Sequence, residues 1–405
     1  MTSSMRSHKR QFGHGQQDLS IRTYSDGFKA DGYAVPGHQI LDIMEVQYHH
    51  GSLDPCFAIL SPDAPSFAQV SATSCSAANI FHNYMQSNIS IAPMMDWTDR
   101  HCRYFMRLLH PTAFLYTEMV TAAAVHHGDA QRLLRYNDTE HPVALQLGGS
   151  DPDLMAAATL QASQRGFDEI NINVGCPSDR VQSGQFGACL MAEPQTVARC
   201  FSAMQATTAI PVTVKSRIGI DEHDSEDFLW RFVETVAAAG CKKFVVHARI
   251  AILDGLSPKE NRSVPPLNYE RVFRLKQKFP ELAIILNGGL NDRQQIDDVL
   301  QQVDGAMIGR QAYQNPYFLA ELAHHFSPDW PLPQRRDVVL AMLPYIETVL
   351  AEGEPLNRIS RHMLGLFAGQ PGARAWRRYL SEHAHSDSAG PEILINALNA
   401  MRIAA

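Results

Sequence analysis

The residues best suited to chemistry lie where a predicted strand ends. A β-rich run, Ile170–Val174, is followed by Gly175-Cys176-Pro177. Proline has no N–H group to donate to a neighbouring strand, so a central strand cannot continue past Pro177. Cys176 is therefore expected at the carboxyl end of a strand, which is the catalytic end if the strands form an eight-fold β/α barrel. A thiol at that position can supply a proton to a substrate.

Short apolar strands alternate with amphipathic segments of helical length between residue 88 and about residue 310. The predicted strands are Ile89–Ala92, Ala113–Tyr116, Val143–Leu147, Glu169–Val174, Val212–Ser216, Phe244–His247, Ala283–Asn287 and Gly305–Ile308, and the clearest helices between them are Pro152–Arg165, Glu193–Thr207 and Phe228–Ala239. Such alternation implies parallel strands, and eight units indicate a closed TIM barrel. The alternative is a doubly wound open sheet, but Ala92-Pro93-Met94-Met95 lacks the glycine fingerprint that such sheets carry after their first strand.

The two ends of the chain differ from this central part. After Pro331-Leu332-Pro333 only helices are predicted, with Arg335–Leu350 the clearest. We therefore expect an N-terminal extension over 1–87, a catalytic barrel over 88–330 and a helical domain over 331–405. The extension has weak periodicity and six histidines, which favours disorder. Alternatively the natural start is Met85, or the basic first 17 residues are a transit peptide, although the acidic residues from Asp18 onward do not fit one.

Polar residues and glycines follow most of the predicted strands. They are Gln146, Asn173, Lys215, Arg217, His247, Arg249, Asn287-Gly288-Gly289 and Gly309-Arg310. Glycines after the last two strands suit a phosphate site, because bare backbone N–H groups must approach the anion. Lys215 would place a positive charge, and Gln146 both a donor and an acceptor, against the edge of a ring system. The residues alone indicate a phosphorylated ligand, for which a flavin is the hypothesis.

Composition narrows the class of protein. The seven cysteines form no Cys-x-x-Cys pair and are odd in number, which favours free thiols in a reducing, cytoplasmic setting over disulfides or a metal site. No run of 18 apolar residues is long enough for a membrane span. The net charge of −7 does not favour a nucleic-acid partner, but it is an average over the whole chain and local patches matter more.

One such patch lies in the helical region. Residues 355–380 contain five arginines and no acid: Arg358, Arg361, Arg374, Arg377 and Arg378. The last three are spaced i, i+3, i+4 and so share one helix face. With Trp376 and Tyr379 beside them, they predict a surface that binds phosphates and stacks bases.

These motifs together resemble those of the tRNA-dihydrouridine synthases, in particular the A-type subgroup that acts on D-loop uridines 20 and 20a. The matching stretches, all within about residues 88–400, are Ala92–Asp99, Gln146–Gly149, Asn171–Pro177, Val214–Arg217, Val246–Arg249, Gly255–Arg262, Asn287–Gly289, Ile308–Arg310 and Gly372–Leu380. The resemblance implies an FMN-dependent, NADPH-driven reduction of the uracil C5=C6 bond, with hydride going to C6. It also implies a tRNA partner; we expect a monomer with no DNA or membrane partner and no metal.

The resemblance implies roles for individual residues. Cys176 matches the proton donor to C5, for which an ordinary protonated thiol is suited. The matched FMN contacts are Pro93, Met94, Met95, Gln146, Lys215, His247, Asn287, Gly288, Gly289, Gly309 and Arg310, and the matched tRNA contacts are Asn173, Lys259, Arg262, Arg374 and Arg377. One departure from the subgroup is Ile250 and Ile252, where a basic and an aromatic residue are usual. That change is expected to weaken or reshape a loop contact to RNA.

Two other functions stay open from the sequence. One is an FMN barrel enzyme that acts on a free pyrimidine, such as a dihydroorotate dehydrogenase, which would not need the arginine-bearing helical region. The other is an RNA-binding protein that has lost catalysis, against which the intact Cys176 and Lys215 argue.

Overall fold

The computed structural model describes residues 19–24, 43–48, 88–386 and 388–404. Strands β1 (Leu19–Tyr24) and β2 (Ile43–Tyr48) pair in antiparallel register, with Leu19 opposite Tyr48. Apart from these two strands, the extension predicted over 1–87 lies outside the described residues. The residues from 88 onward belong to a separate compact unit that holds every other element.

Eight parallel strands close into a barrel, as the sequence predicts. The strands are β3 (Ile89–Ile91), β4 (Phe114–Thr121), β5 (Val143–Gly148), β6 (Glu169–Val174), β7 (Val212–Arg217), β8 (Lys243–His247), β9 (Ala283–Asn287) and β10 (Gly305–Ile308). Each strand pairs with the next, and β10 pairs with β3 to complete the ring. Strands β5 and β6 are buried along their whole length; β5 is a nearly continuous apolar run, whereas β6 alternates polar and apolar residues.

The largest difference from the predicted strands is in β4. It was expected to end at Tyr116 but continues to Thr121. A register shift lies between Tyr116 and Met119, after which Met119 pairs with Gln146. The polar pair Thr117-Glu118 interrupts the apolar pattern at this irregularity. The pattern alone therefore does not predict the second half of the strand.

Helices fill every crossover of the barrel. They are α1 (Arg100–Leu109), α2 (Ala122–His127), α3 (Ala130–Leu133), α4 (Pro152–Ser163), α5 (Asp179–Ser183), α6 (Pro194–Gln205), α7 (Glu226–Ala238), α8 (Tyr269–Lys278) and α9 (Arg293–Leu300), with α10 (Arg310–Gln314) and α11 (Tyr317–Phe326) after the last strand. Most of the crossover helices begin at an Asp, Asn, Ser or Thr whose side chain accepts a hydrogen bond from a backbone N–H of the first turn. The Asp151 carboxylate, for example, accepts hydrogen bonds from the backbone N–H groups of Asp153 and Leu154 at the start of α4.

The C-terminal region is helical, as expected, but its first helix is not continuous. The elements are α12 (Arg335–Ala341), α13 (Leu343–Ala351), α14 (Leu356–Ser360), α15 (Ala373–His383) and α16 (Glu392–Ala404). The single helix predicted over Arg335–Leu350 is therefore wrong. Pro344 lacks an N–H group and its ring clashes with the preceding turn of a helix. The helix is therefore interrupted at Met342, and Pro344 lies in the first turn of α13.

The C-terminal helices pack on the barrel through α1. Tyr104 and Tyr345 stack with ring centroids 3.9 Å apart, and His101 Nδ1 lies 2.8 Å from the Tyr345 hydroxyl. Arg361 donates to the Asp99 carboxylate over 2.7 Å. One hydrophobic core runs from the barrel into these helices. The division at residue 331 into two domains remains a prediction.

Trp376 lies inside this core. It is fully buried, its indole N–H donates to the Met363 carbonyl over 3.1 Å, and its ring meets Phe367 edge to face. The expectation that Trp376 stacks on RNA bases is therefore wrong. Helical spacing placed the arginines on one face of α15 correctly, but the indole between them points to the opposite, buried face.

Replacing Trp376 by Ala should lower the free energy of unfolding by about 3–5 kcal/mol, because a buried indole is exchanged for a cavity. Urea denaturation followed by circular dichroism measures the change. Arg378, exposed on the same helix, is the matched control, and its replacement by Ala should stay within about 0.5 kcal/mol of the wild type. Equal losses in the two variants would contradict the core role of Trp376.

Candidate active site

The Cys176 thiol is held at the carboxyl end of β6 by a local turn. Asn173 Oδ1 accepts hydrogen bonds from the backbone N–H groups of Gly175 (3.1 Å) and Cys176 (3.0 Å). The Cys176 Sγ atom lies 3.5 Å from the Ser178 hydroxyl oxygen. The side chain is half-buried, so the thiol is fixed in position and still reachable by a ligand.

A cavity of about 360 Å³ opens beside this thiol at the carboxyl ends of the strands. Its volume is within the range of cofactor sites. Every residue predicted to contact the cofactor lines it: Pro93, Met94, Met95, Gln146, Lys215, His247, Asn287, Gly288, Gly289, Gly309 and Arg310. The structure therefore brings the whole predicted set together, although contact with a cofactor remains a prediction.

Two polar side chains on the cavity wall are held by specific partners. Lys215 Nζ donates to Asn287 Oδ1 over 3.0 Å, and Asn287 Nδ2 donates to the Met307 carbonyl over 2.8 Å. Gln146 is buried, and both ends of its amide are bonded to asparagines of β6. Both groups are thus oriented before any ligand binds.

The glycines at the end of β9 are required by the backbone. Gly288 has φ of 119° and Gly289 has φ of 70°, a region that L side chains rarely adopt. Gly309 differs, because a Cβ atom built there would meet only the Ala92 Cβ, at 3.9 Å. Packing within the protein would allow a side chain at position 309. A glycine there therefore fits a site where a ligand approaches the backbone closely.

The cavity is strongly electropositive. Burial, followed by the charges of Arg217, Lys215, Arg249 and Arg310, holds the pKa of His247 well below its usual value. Burial, with a contribution from Arg217, lowers the pKa of Lys215 to about 7. Cations that depress one another's protonation in this way create a field that a bound anion would relieve. The donor set therefore fits a phosphorylated, anionic cofactor.

A second, larger cavity of about 1040 Å³ meets the first at the thiol. This cleft lies between α1, β4 and the C-terminal helices, and its wall includes Arg358 and Arg361. Four residues line both cavities: Met95, Met119, Cys176 and Ser178. Cys176 thus lines both the cofactor-sized cavity and the larger, open cleft.

The residues predicted to contact tRNA lie in three different places. Asn173 lies inside the barrel, where its acceptor oxygen is used by the thiol turn. Arg262 lines the smaller cavity, and its carbonyl accepts a bond from Arg310, while the nearby Lys259 is exposed. Arg374 and Arg377 are exposed on α15, away from both cavities.

The loop that carries Lys259 and Arg262 is ordered by two buried groups. Asn261 is fully buried and forms hydrogen bonds to both the backbone N–H and the carbonyl of Ile252. Arg217 donates to the carbonyls of Ile250 and Asn261, and its Nε donates to Gly175 over 3.1 Å. Arg217 therefore ties this loop to the thiol turn.

Sequence reasoning missed several residues of the site. Ser178 and Met119 line both cavities but were not singled out, although Ser178 follows Cys176 by only two positions. Arg217 was noticed at a strand end without a role. Within the described residues, no cluster of three or more His, Cys, Asp or Glu side chains could hold a metal ion, and no helix is long and apolar enough to cross a membrane.

Fold and site together define a (β/α)8-barrel enzyme with a cationic cofactor cavity and a thiol above it. The sequence model of the family "Dihydrouridine synthase" matches residues 90–402, and the chain belongs to this family.

Curated relatives agree with this assignment. The chain is 57% identical over 311 residues to a tRNA-dihydrouridine(20/20a) synthase of Shewanella oneidensis, covering 76% of this chain and 92% of the relative. Proteins of the same description from Synechocystis and Escherichia coli are each 55% identical, covering 80% and 78% of this chain and 97% and 96% of the relatives.

Replacing Lys215 by Met should change how the stability of the ligand-free protein depends on pH. Because the pKa of Lys215 is about 7 in the folded protein and near 10.5 when unfolded, the unfolded chain binds more protons between these values. The cost of burying Lys215 is therefore largest below pH 7 and shrinks as pH rises. The difference in melting temperature, Lys215→Met minus wild type, should therefore become smaller between pH 7 and pH 9.5.

Thermal melts of both proteins in a pH series provide the measurement. Lys259→Met, which removes an exposed lysine, should follow the wild-type pH dependence. A melting-temperature difference for Lys215→Met that does not vary with pH would contradict the prediction.

Proposed function

We propose that this protein is a tRNA-dihydrouridine(20/20a) synthase that reduces the C5=C6 bond of D-loop uridines, with FMN as cofactor and NADPH as reductant. The observation that carries the proposal is the position of Cys176, which lies where a cofactor-sized cationic cavity meets an open cleft. Membership of the dihydrouridine synthase family supports the reaction type, and the relatives described above support the choice of uridines.

The smaller cavity offers groups that suit each part of FMN. Gly309, Arg310 and the glycines after β9 would hold the phosphate, and Lys215 and Gln146 would face the pyrimidine edge of the ring. Bound FMN, once reduced, would supply the hydride for C6 of uracil. Holding a reduced, anionic ring beside Lys215 would also offset the cost of burying that ammonium group.

The protein's own contribution to the chemistry is the proton at C5. Cys176 supplies it from its thiol, which the Asn173 turn holds in place. Removal of a general acid of this kind slows a reaction by typically about 10²–10⁴-fold.

The larger cleft suits tRNA better than a free pyrimidine. A uridine in folded tRNA must leave its stack to reach the thiol, which requires a hold on the RNA backbone. At about 1040 Å³, with Arg358 and Arg361 on its wall, the cleft is larger than a single base needs. Arg374 and Arg377, exposed on α15 outside the cleft, would add contacts to the RNA backbone.

Cys176→Ala should keep FMN and accept electrons from NADPH, yet form dihydrouridine about 10²–10⁴-fold more slowly, because only the proton donor is missing. The assay separates flavin bleaching by NADPH from mass-spectrometric detection of the 2 Da gain in tRNA. Cys189→Ala, which removes another half-buried thiol, is the matched control and should behave as wild type. Wild-type protein that releases no FMN on denaturation would refute the cofactor, and normal product formation by Cys176→Ala would refute the role of the thiol.

Replacing Arg374, Arg377 and Arg378 together by Ala should weaken tRNA binding and leave flavin reduction by NADPH unchanged. Each lost phosphate contact should flatten the salt dependence of binding by up to about one unit of slope. Salt titrations of tRNA binding measure this. The charge-matched control replaces Arg231, Arg293 and Arg336, which are exposed on α7, α9 and α12. Identical curves for the two triple variants would mean that α15 does not contact the RNA.

A further inference from the structure

A line of buried polar side chains runs through the barrel from the start of β6 to the thiol turn. Glu169, Asn171 and Asn173 occupy alternate positions of β6, so all three point into the barrel. Thr213 of β7 and Gln146 of β5 lie between them. None of the five is more than 9% exposed.

The hydrogen bonds along this line all point in one direction. Thr213 Oγ1 donates to Glu169 Oε1 (2.7 Å), and Asn171 Nδ2 donates to Thr213 Oγ1 (2.8 Å). Gln146 Nε2 then donates to Asn171 Oδ1 (2.8 Å), and Asn173 Nδ2 donates to Gln146 Oε1 (2.8 Å). Asn173 Oδ1 finally accepts from the backbone N–H groups of the thiol turn.

The direction is dictated at the Glu169 end. A carboxylate can only accept, and this one is paired with Lys243 Nζ at 2.7 Å and also accepts from the Tyr116 hydroxyl. Thr213 has one hydrogen and gives it to Glu169, so it can only accept from Asn171. Asn171 must then present its oxygen to Gln146, and the same logic turns Gln146 and Asn173.

We infer that Glu169 is a positioning residue for the active site, acting through Thr213 and Asn171 to fix which atoms Gln146 presents to the cofactor cavity and Asn173 to the Cys176 turn. Gln146 uses one of its two amide hydrogens on Asn171, so this orientation leaves the other amide hydrogen for a ligand in the cavity that Gln146 lines. The consequence of this inference for catalysis rests on the function proposed above.

A neutral amide at position 169 would remove this constraint. In Glu169→Gln, the ammonium of Lys243 favours the oxygen of the new amide, so its NH₂ group turns towards Thr213. Thr213 would then accept there and donate to Asn171, and the amides would be driven to reverse. A reversed Asn173 would present its NH₂ group to two backbone N–H groups, which are donors, so the thiol turn would lose its bonds.

The test compares Thr213→Val, which interrupts the line, with Tyr116→Phe, which removes the other hydroxyl bonded to the same Glu169 oxygen. Thr213→Ser restores the hydroxyl, and Glu169→Gln is a second variant in case Thr213→Val does not fold. For each full-length protein, three quantities are measured: the absorption spectrum of bound FMN, kcat and KM for tRNA, and the melting temperature.

The proposal predicts that Thr213→Val and Glu169→Gln shift the FMN spectrum and lower kcat roughly tenfold or more, with KM for tRNA unchanged. Thr213→Ser should resemble wild type, and Tyr116→Phe should keep the wild-type spectrum and kcat even if it melts earlier. Two outcomes would overturn the inference. Equal effects in Tyr116→Phe and Thr213→Val would show that any lost bond to Glu169 has the same consequence. No effect in Thr213→Val and Glu169→Gln would show that the turn alone orients the amides.

The spectrum also separates this inference from the proposed function. If wild-type protein binds FMN but forms no dihydrouridine, the proposed function fails, while a spectral shift confined to Thr213→Val and Glu169→Gln still supports the role of Glu169.

Discussion

The two hydrogen bonds that Asn173 Oδ1 accepts from the backbone of Gly175 and Cys176 are the interaction on which the site depends. They turn the chain immediately after β6 and place the thiol between the two cavities. Arg217 holds the same turn from the other side through the Gly175 carbonyl. A half-buried group on a loop would otherwise sample many positions, and a proton donor is effective only when held near its target.

The cofactor cavity has an electrostatic cost that the protein carries without a ligand. Lys215, Arg217 and His247 line the same cavity, Arg217 buried and the other two half-buried, and the pKa of each is lowered by desolvation and by the neighbouring cations. Such a cluster destabilises the protein in the absence of an anion, and a bound anion would relieve this cost, which would add to the anion's binding free energy. The neutral imidazole of His247 can still donate one hydrogen bond without adding to the repulsion.

The barrel and the residues that line its smaller cavity could be predicted from the sequence, because parallel strands end at one edge and bring their last residues together. It could not predict features that depend on packing between elements. The continuation of β4 past Thr117-Glu118 depends on its pairing with β5, and the burial of Trp376 depends on which face of α15 meets the core. The line from Glu169 was equally hidden, since alternation of polar residues in a strand acquires meaning only when partners such as Thr213 are in place.

The arginines of the C-terminal helices differ in whether an acidic side chain pairs with them. Asp99 caps α1 and also accepts from Arg361 and His362, and although burial acts to raise the pKa of Asp99, the hydrogen bond and charge of His362 hold it well below its usual range. Arg361 is therefore partly neutralised, and its ion pair ties the C-terminal helices to the start of α1. Arg358 and Arg377 are exposed and form no ion pair with an acidic side chain in the described part of the chain, so under the proposed function their charges would be available to RNA phosphates. Arg377 also precedes Ser381 by one turn of α15, on the face that meets Arg358 and Arg361 in a small pocket. Under the proposed function, RNA that leaves the cleft past Arg358 would next meet the face of α15 that carries Arg377.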